Sequence, residues 1–353
     1  MTSSIDVVAQ KDGSPKRRKK VTLQDVGKAS GVSATTVSLV LQNKGEISEG
    51  TRRKVRSACT KLGYQYTVAS ETKKATGFIG VLIDTMENPY FTEMVEPLES
   101  VLNTEGYASI LLNTYGDKKR QDHLMDSLDR LNLSGLVVIP ASGTDEKSLK
   151  KIERTGVPSV MGIRHVGFGE FDYVGPNYFS GMQLASRHLV ELGHQAIAFV
   201  GGEYNNTAYT ERYSSFASFM NSESIPITPE WILPGPPVFG SGRDSTKVLF
   251  ASKPHPSAII AYNDIVACGV IRGLRDLGLV AGKDVAVIGF DGIRQAELHS
   301  IPITTVSTPP ERIGFELGQL IIKRVKDPNC EPVNITPPPR LIVRQSCGCK
   351  TIK

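Results

Sequence analysis

The sequence predicts an all-α helix-turn-helix domain at the N-terminus, followed by a larger two-lobed α/β body. Three observations lead there. Residues 21–63 carry three short helical patterns separated by cap and turn residues. Beyond residue 76, short runs rich in Val, Ile and Leu alternate with longer helical patterns, as in parallel sheets buried on both faces. The charge is also divided. Residues 1–75 hold 15 Lys/Arg against 6 Asp/Glu, and the remainder holds 26 against 30.

Residues 1–20 are polar and basic, with the run Lys16-Arg17-Arg18-Lys19-Lys20, and are expected to be disordered. Thr22 can cap a first helix, with Asp25 at capping-box spacing. Val26 and Ala29 are expected to face inward, and Gly31 ends the helix. Ser33 caps a second helix over 33–42. There Val37, Val40 and Leu41 fall three and four apart on one face. The other face carries Ala34, Thr35, Ser38, Leu39 and Gln42, without a charge. Ser48 caps a third helix with an apolar stripe of Val55, Ala58 and Leu62, stopped by Gly63. Two helices joined by Ser30-Gly31-Val32 and followed by a third make a helix-turn-helix unit. A small bundle that touches no nucleic acid is the alternative. The basic balance weighs against it, as does the cluster Arg52, Arg53, Lys54 and Arg56, placed to meet phosphate.

Residues 64–76, YQYTVASETKKAT, read as a linker. The apolar runs then follow at 77–83, 108–113, 135–140, 158–163, 196–202, 257–264 and 284–291. Helical patterns at 91–105, 117–131, 178–192, 208–221 and 265–278 separate them. So many units imply two sheets rather than one. Ligands in open α/β sheets bind beyond the carboxyl ends of the strands, which places a site in the cleft between two lobes.

Several classes are excluded or unsupported. The chain has no phosphate loop, no Gly-x-Ser-x-Gly elbow and no His-Glu-x-x-His helix, and its six histidines are scattered. No enzyme is predicted, and no catalytic residue, metal or cofactor. Five cysteines are too few for a disulfide framework, and Cys347-Gly-Cys349 reads as incidental. No apolar run reaches the ~20 residues of a membrane span. The N-terminus lacks the apolar core of a signal peptide, so a cytoplasmic location is expected.

The ordered motifs resemble the lactose repressor (LacI/GalR) family of bacterial transcription regulators over roughly residues 21–349. VTLQDVGKASGVSATTVSLVLQNKGEISEGTRRKVRSACTKLGY is similar to its DNA-binding domain. GFIGVLIDTMENPYF resembles the opening of the effector domain, and DYVGPNYFSGMQLASRHLVELGHQAIAFVGG the start of its second lobe. YNDIVACGVIRGLRDLGLVAGKDVAVIGFDG and RLIVRQSCG resemble two further family stretches. The resemblance implies a periplasmic-binding-protein-like effector domain at 77–349. Its first lobe would span about 77–176 and 308–338, its second about 177–307 and 339–349. A helix-turn-helix domain at 21–66 and a hinge at 67–76 would precede it.

The resemblance makes helix 33–42 the recognition helix, lying in the major groove of a pseudo-palindromic operator. Ala34, Thr35 and Leu39 fall on base-reading positions, and Thr22, Ser33, Thr36, Ser38 and Asn43 on phosphate-contacting ones. No Arg stands ready to bond guanine, the commonest specific contact. Leu39 and Ala34 can meet thymine methyls, so a thymine-containing half-site is expected. The hinge departs from the family pattern. Glu71 stands where an arginine is usual, and Lys73 where a leucine wedges into the minor groove. Val68 is the aliphatic residue nearby, and a plain linker is the alternative.

In the cleft, the resemblance assigns effector binding to Tyr90, Phe91, Arg164, Arg212, Asn263 and Asp291. Asp264 reads as a helix cap. Many sugar-binding members carry an aspartate after the strand at 158–162. Here Ile163 and Arg164 follow, which tilts the expected effector from a neutral sugar toward a sugar acid or phosphate. The family's tetramers add a C-terminal heptad helix, and only Lys350–Lys353 follow Cys349, so a homodimer is expected. The expected function is a repressor whose operator affinity a small molecule controls, acting at the bacterial nucleoid. A two-lobed small-molecule binder with weak or non-specific DNA binding is the alternative.

Overall fold

The computed structural model describes residues 21–41, 47–62, 64, 77–167, 171–251 and 253–349. The chain divides into two compact units, Met1–Lys74 and Ala75–Lys353. The basic tail, Gln42, Asn43, Gly63, Val68, Glu71 and Lys73 lie outside the described residues.

The first unit holds α1 (Leu23–Ser30), α2 (Ala34–Leu41) and α3 (Glu49–Leu62). Thr22 and Asp25 close a capping box on α1. Gly31 ends α1 at φ 73, a left-handed value that glycine adopts without steric cost. On α2, Val37, Val40 and Leu41 are buried as their spacing predicts, and they meet Val26, Val55, Ala58 and Cys59 in a small core. Two expectations are corrected. Ala29 is exposed; the buried neighbour of Val26 is Gly27, where a Cβ would stand 2.8 Å from the Val32 carbonyl oxygen. The close approach of the turn, not hydrophobicity, sets that face. Leu62 is 37% exposed, and Cys59 completes the α3 stripe instead.

The second unit opens with β1 (Phe78–Ile83), α4 (Pro89–Thr104), β2 (Ala108–Asn113), α5 (Lys118–Ser127), β3 (Gly135–Val138), α6 (Glu146–Thr155), β4 (Ser159–Gly162) and β5 (Asp172–Val174). It continues with α7 (Tyr178–Glu191), β6 (Ile197–Val200), α8 (Thr207–Ser222), β7 (Ile232–Leu233), α9 (Phe239–Leu249), β8 (Ala258–Ala261), α10 (Asp264–Asp276) and β9 (Ala286–Asp291). Last come α11 (Arg294–Leu298), β10 (Thr304–Ser307), α12 (Pro310–Lys326), β11 (Asn334–Ile335) and β12 (Arg340–Ile342).

These strands form two six-stranded sheets, ordered β11-β5-β4-β3-β1-β2 and β12-β10-β9-β8-β6-β7. Every pairing is parallel except β10 with β12. The chain passes from one lobe to the other after β5, after β10 and after β11. Strands β1, β3, β4, β6, β8 and β9 are buried almost throughout, which explains their unbroken apolar runs. Helix α12 crosses α4 closely: a Cβ on Gly314 would sit 1.9 Å from the Met94 carbonyl oxygen. That crossing fixes α4, whose first turn carries Tyr90 and Phe91. Both were expected in a loop. Asn88 accepts from the Tyr90 amide as the helix cap and Pro89 begins the helix, so the aromatic pair is helical.

Polar bonds also join the lobes. The Gly143 amide donates to the Asn205 carbonyl at 2.8 Å. His165 Nε2 lies 2.8 Å from Glu211 Oε1, the Arg294 amide donates to Glu93 at 3.1 Å, and Asn88 donates to Asp291 at 3.3 Å.

Candidate functional site

The carboxyl ends of β1, β4, β8 and β9 converge on the cleft between the lobes. Asp84 leaves β1, Arg164 follows β4, Asn263 follows β8 and Asp291 ends β9. Together with Tyr90, Phe91 and Arg212 they line one cavity of about 30 Å³. All six side chains assigned to the effector are therefore brought together. A second cavity of about 290 Å³ adjoins it, sharing Asp84, Thr85, Arg164 and Pro237 and extending to Tyr115, Ser142 and Glu203.

Each arginine of the cleft faces a carboxylate. Arg164 Nη2 donates to Asp84 Oδ2 at 2.7 Å, and its Nη1 donates to the Pro140 carbonyl at 3.0 Å. Burial works against its charge, but Asp84 holds the guanidinium above its ordinary pKa. This corrects the expectation of an uncompensated cation beside Ile163: Asp84 supplies the carboxylate from the neighbouring strand. Ile163 takes a left-handed φ of 63, and its carbonyl accepts the hydroxyls of Tyr178 at 2.8 Å and Tyr173 at 3.1 Å.

Arg212, from α8, donates to the Tyr262 carbonyl at 2.6 Å and to Asp291 Oδ1 at 3.4 Å. Its guanidinium carbon lies 4.1–4.5 Å from the ring centroids of Tyr178, Tyr262 and Phe290. Three π-faces thus hold the cation in place. Three buried polar atoms in this cleft have no hydrogen-bond partner among the described residues: Asp84 Oδ1, Arg164 Nε and Arg212 Nε. Buried polar groups are paired as a rule, so these are the atoms a polar ligand would satisfy. Tyr90 and Phe91 meet edge to face at 5.9 Å, with the Tyr90 hydroxyl accepting from Thr308 at 3.3 Å.

Asn263 has a double duty. Its Oδ1 caps α10 by accepting from the Val266 amide at 2.8 Å, and its Nδ2 donates to the Pro237 carbonyl at 3.3 Å. Asp264 is not the cap expected of it. Its carboxylate turns inward and accepts the amides of Gly292 and Ile293 at 2.8 and 2.9 Å and the Thr305 hydroxyl at 2.6 Å. Gly289 makes room for it, since a Cβ there would meet Asp264 Oδ1 at 2.1 Å. Asp264 so fixes the turn after Asp291, whose own φ of 117 is one that L-residues rarely adopt.

Burial, then the charge of Asp291, pushes Asp264 up to about 8. Burial pushes Asp291 up to about 6 against the pull of Arg212. Both carboxyls therefore hold protons in the folded chain at pH values where an unfolded Asp, near 3.9, has lost them. The folded state binds the more protons between about pH 4 and pH 8, so stability contributed by these groups falls as pH rises through that window. Urea midpoints should be higher at pH 5 than at pH 8. Asp264→Asn should flatten the part between about pH 6 and pH 8. An unchanged slope in that variant would remove Asp264 from the account.

The sequence did not single out Asp84, Asn88, Tyr178 or Tyr262. Asp84 and Tyr262 directly follow or end apolar runs, and Asn88-Pro89 is a helix-start signal. Tyr178 had no signal.

In the first unit, α2 presents Thr35 and Leu39, both exposed, with Ala34 half-buried beside them. Ser33 Oγ accepts from the Thr36 amide at 3.0 Å and lies 2.8 Å from Thr36 Oγ1. One hydroxyl proton of that pair stays available to a phosphate. Thr22 differs: its amide and its hydroxyl both donate to Asp25 Oδ2, at 2.9 and 2.7 Å. With both donors committed to the cap, the expected phosphate contact from Thr22 is not supported. Arg53, Lys54 and Arg56 are exposed on α3.

Residues 22–66 match the family described as bacterial regulatory proteins, lacI family, and residues 186–347 match the periplasmic binding protein-like domain. The chain is 31% identical over 329 residues to the HTH-type transcriptional repressor PurR of Actinobacillus pleuropneumoniae serotype 3 (strain JL03), covering 92% of this chain and 98% of that protein. Among solved structures, the complex of the transcriptional regulator CelR with cellobiose aligns with a TM-score of 0.72 at 25% identity, covering 92% of this chain and 99% of that one. A LacI family transcriptional regulator from Enterococcus faecium with bound ribose aligns with a TM-score of 0.69 at 27% identity, covering 76% of this chain and 98% of that one.

Proposed function

Because the chain belongs to the lacI family of bacterial regulatory proteins, we propose that a neutral, hydroxyl-rich molecule of the sugar class is the effector bound in its cleft. The protein is a DNA-binding transcriptional repressor, not an enzyme, and works as a homodimer on operator DNA under small-molecule control. No helix among the described residues is long and apolar enough to cross a membrane.

The pairing of both arginines carries the effector reading. Arg164 faces Asp84 and Arg212 faces Asp291, so the cleft offers alternating donors and acceptors without a surplus cation. Vicinal hydroxyls match such a set, whereas a carboxylate or phosphate ligand would be repelled by the two aspartates. The unpartnered Asp84 Oδ1, Arg164 Nε and Arg212 Nε are the contacts available at once. Tyr90, Phe91 and Asn263 complete the wall. The sugars bound in the CelR and Enterococcus faecium structures support the same class.

The floor cavity of about 30 Å³ equals about one water's share of the liquid. A sugar ring enters only if the lobes part or the floor side chains turn. The cross-lobe bonds at His165–Glu211, Asn88–Asp291 and Gly143–Asn205 hold the contracted arrangement. The lobe pair is then the two-state element, and the effector biases it by differential contact.

On the DNA side, Ala34, Thr35 and Leu39 read bases, and Ser33, Thr36, Ser38 and Asn43 meet phosphates. Val68 and Lys73 belong to a hinge at 67–76, where Lys73 acts by charge in place of an apolar wedge. The repressor works at the nucleoid, in the cytoplasm.

Calorimetric titration with neutral mono- and disaccharides, sugar acids, sugar phosphates and nucleobases tests the effector class. Saturable binding of a neutral sugar is expected. Binding of an acid, phosphate or base, with no neutral sugar bound, would overturn it.

A further inference from the structure

The five cysteines are all reduced, and they do not share one environment. Burial raises Cys59 and pushes Cys268 up to about 12, as apolar surroundings do to any thiol. Cys347 is as buried as Cys59. Yet burial is outweighed there by donors from His188, Thr304 and the Cys349 amide, and the thiol lies below its ordinary range. His188 Nε2 stands 3.3 Å from the sulfur. The half-buried His188 ring and the half-buried Cys349 are what separate Cys347 from solvent.

Cys349 is held close by a built turn. Gly348 has φ 76, and a Cβ on it would meet the Gly282 carbonyl oxygen at 2.6 Å. Its amide donates to the Gln345 carbonyl at 3.1 Å. The preceding Ser346 is pinned to β9 and β10 through the Val287 carbonyl at 2.6 Å and the Thr304 amide at 2.8 Å. One cysteine is thus fixed in the core as an anion-stabilised thiol. The other sits two residues on, on the solvent side. Cysteine spacing alone gave no reason to expect this; the donors around one sulfur supply it.

We propose that Cys349 and Cys347 form a reversible dithiol–disulfide site that reacts with small peroxides. The outer Cys349 thiol attacks the peroxide, giving a sulfenic acid and releasing water when hydrogen peroxide is the oxidant. The Cys347 thiolate, held by His188 and its other donors, attacks the Cys349 sulfur. The S–S bond forms, hydroxide leaves, and the dithiol has lost two hydrogens to one peroxide. A small thiol restores both cysteines by exchange.

The test uses the full-length protein and hydrogen peroxide, read by intact mass and by non-reducing peptide mapping. The wild type should lose two hydrogens reversibly, with the bond mapped to Cys347–Cys349. Cys349→Ser should lose that change. Cys347→Ser should instead accumulate a Cys349 sulfenate that dimedone captures. In His188→Asn the bond should close several-fold more slowly, with more dimedone captured, while circular dichroism matches the wild type. Oxidation that maps first to Cys59, Cys268 or Cys330 would overturn the proposal. So would a dithiol that survives peroxide in the folded protein, or a His188→Asn variant that closes at the wild-type rate.

Discussion

Arg212→Met is expected to abolish the response to effector while leaving operator binding intact. The variant keeps the length and apolar stem of the side chain inside the cage of Tyr178, Tyr262 and Phe290. It removes the donors to Asp291 and the Tyr262 carbonyl, and with them the unpartnered Nε. Truncating one member of a buried, hydrogen-bonded charge pair costs about 2–5 kcal/mol of binding, roughly 30- to 5000-fold in affinity. Asp291 would then take a proton more readily, since burial already pushes it up to about 6. Arg212→Lys keeps a charge without the planar fork and should recover only part of the binding. Calorimetry against the sugar that saturates the wild type reads the loss. Unchanged sugar affinity in Arg212→Met would remove Arg212 from the site.

Leu39→Ala should weaken operator binding without disturbing the fold. Leu39 is 37% exposed on α2, away from the core that Val37, Val40 and Leu41 complete. Losing its apolar contact with a thymine methyl costs about 1–2 kcal/mol per half-site. A homodimer makes the contact twice, so the loss is about 2–4 kcal/mol, roughly 30- to 1000-fold. Uracil in place of the contacted thymine removes the same methyl. It should weaken the wild type comparably and leave Leu39→Ala unaffected. A uracil operator that binds the wild type as well as thymine does would show that Leu39 reads something else.

Local pattern carried much of the fold. The buried trio on α2 followed from helical spacing, and the central strands from apolar runs that only a sheet covered on both faces explains. The misplacements have physical causes. Gly27 rather than Ala29 faces the core because backbone approach at Val32 leaves no room for a side chain. Asp264 gave up the cap to Asn263 because two amides and a hydroxyl from distant segments draw its carboxylate inward. The cleft residues came from resemblance rather than periodicity. What could not be read was their pairing: Asp84 and Arg164 are 80 residues apart, and only strand order places them side by side. That single contact reversed the expected charge of the effector.

The most direct test of the central claim couples the two units in one measurement. An operator is first selected from random duplex DNA by the pure protein, and its affinity is then followed by fluorescence anisotropy at fixed salt while effector is added. A neutral sugar that binds the cleft should change the operator Kd by at least about five-fold, and Arg212→Met should show no change. Operator affinity that stays constant at saturating sugar, or that moves only with an anionic ligand, would contradict the account.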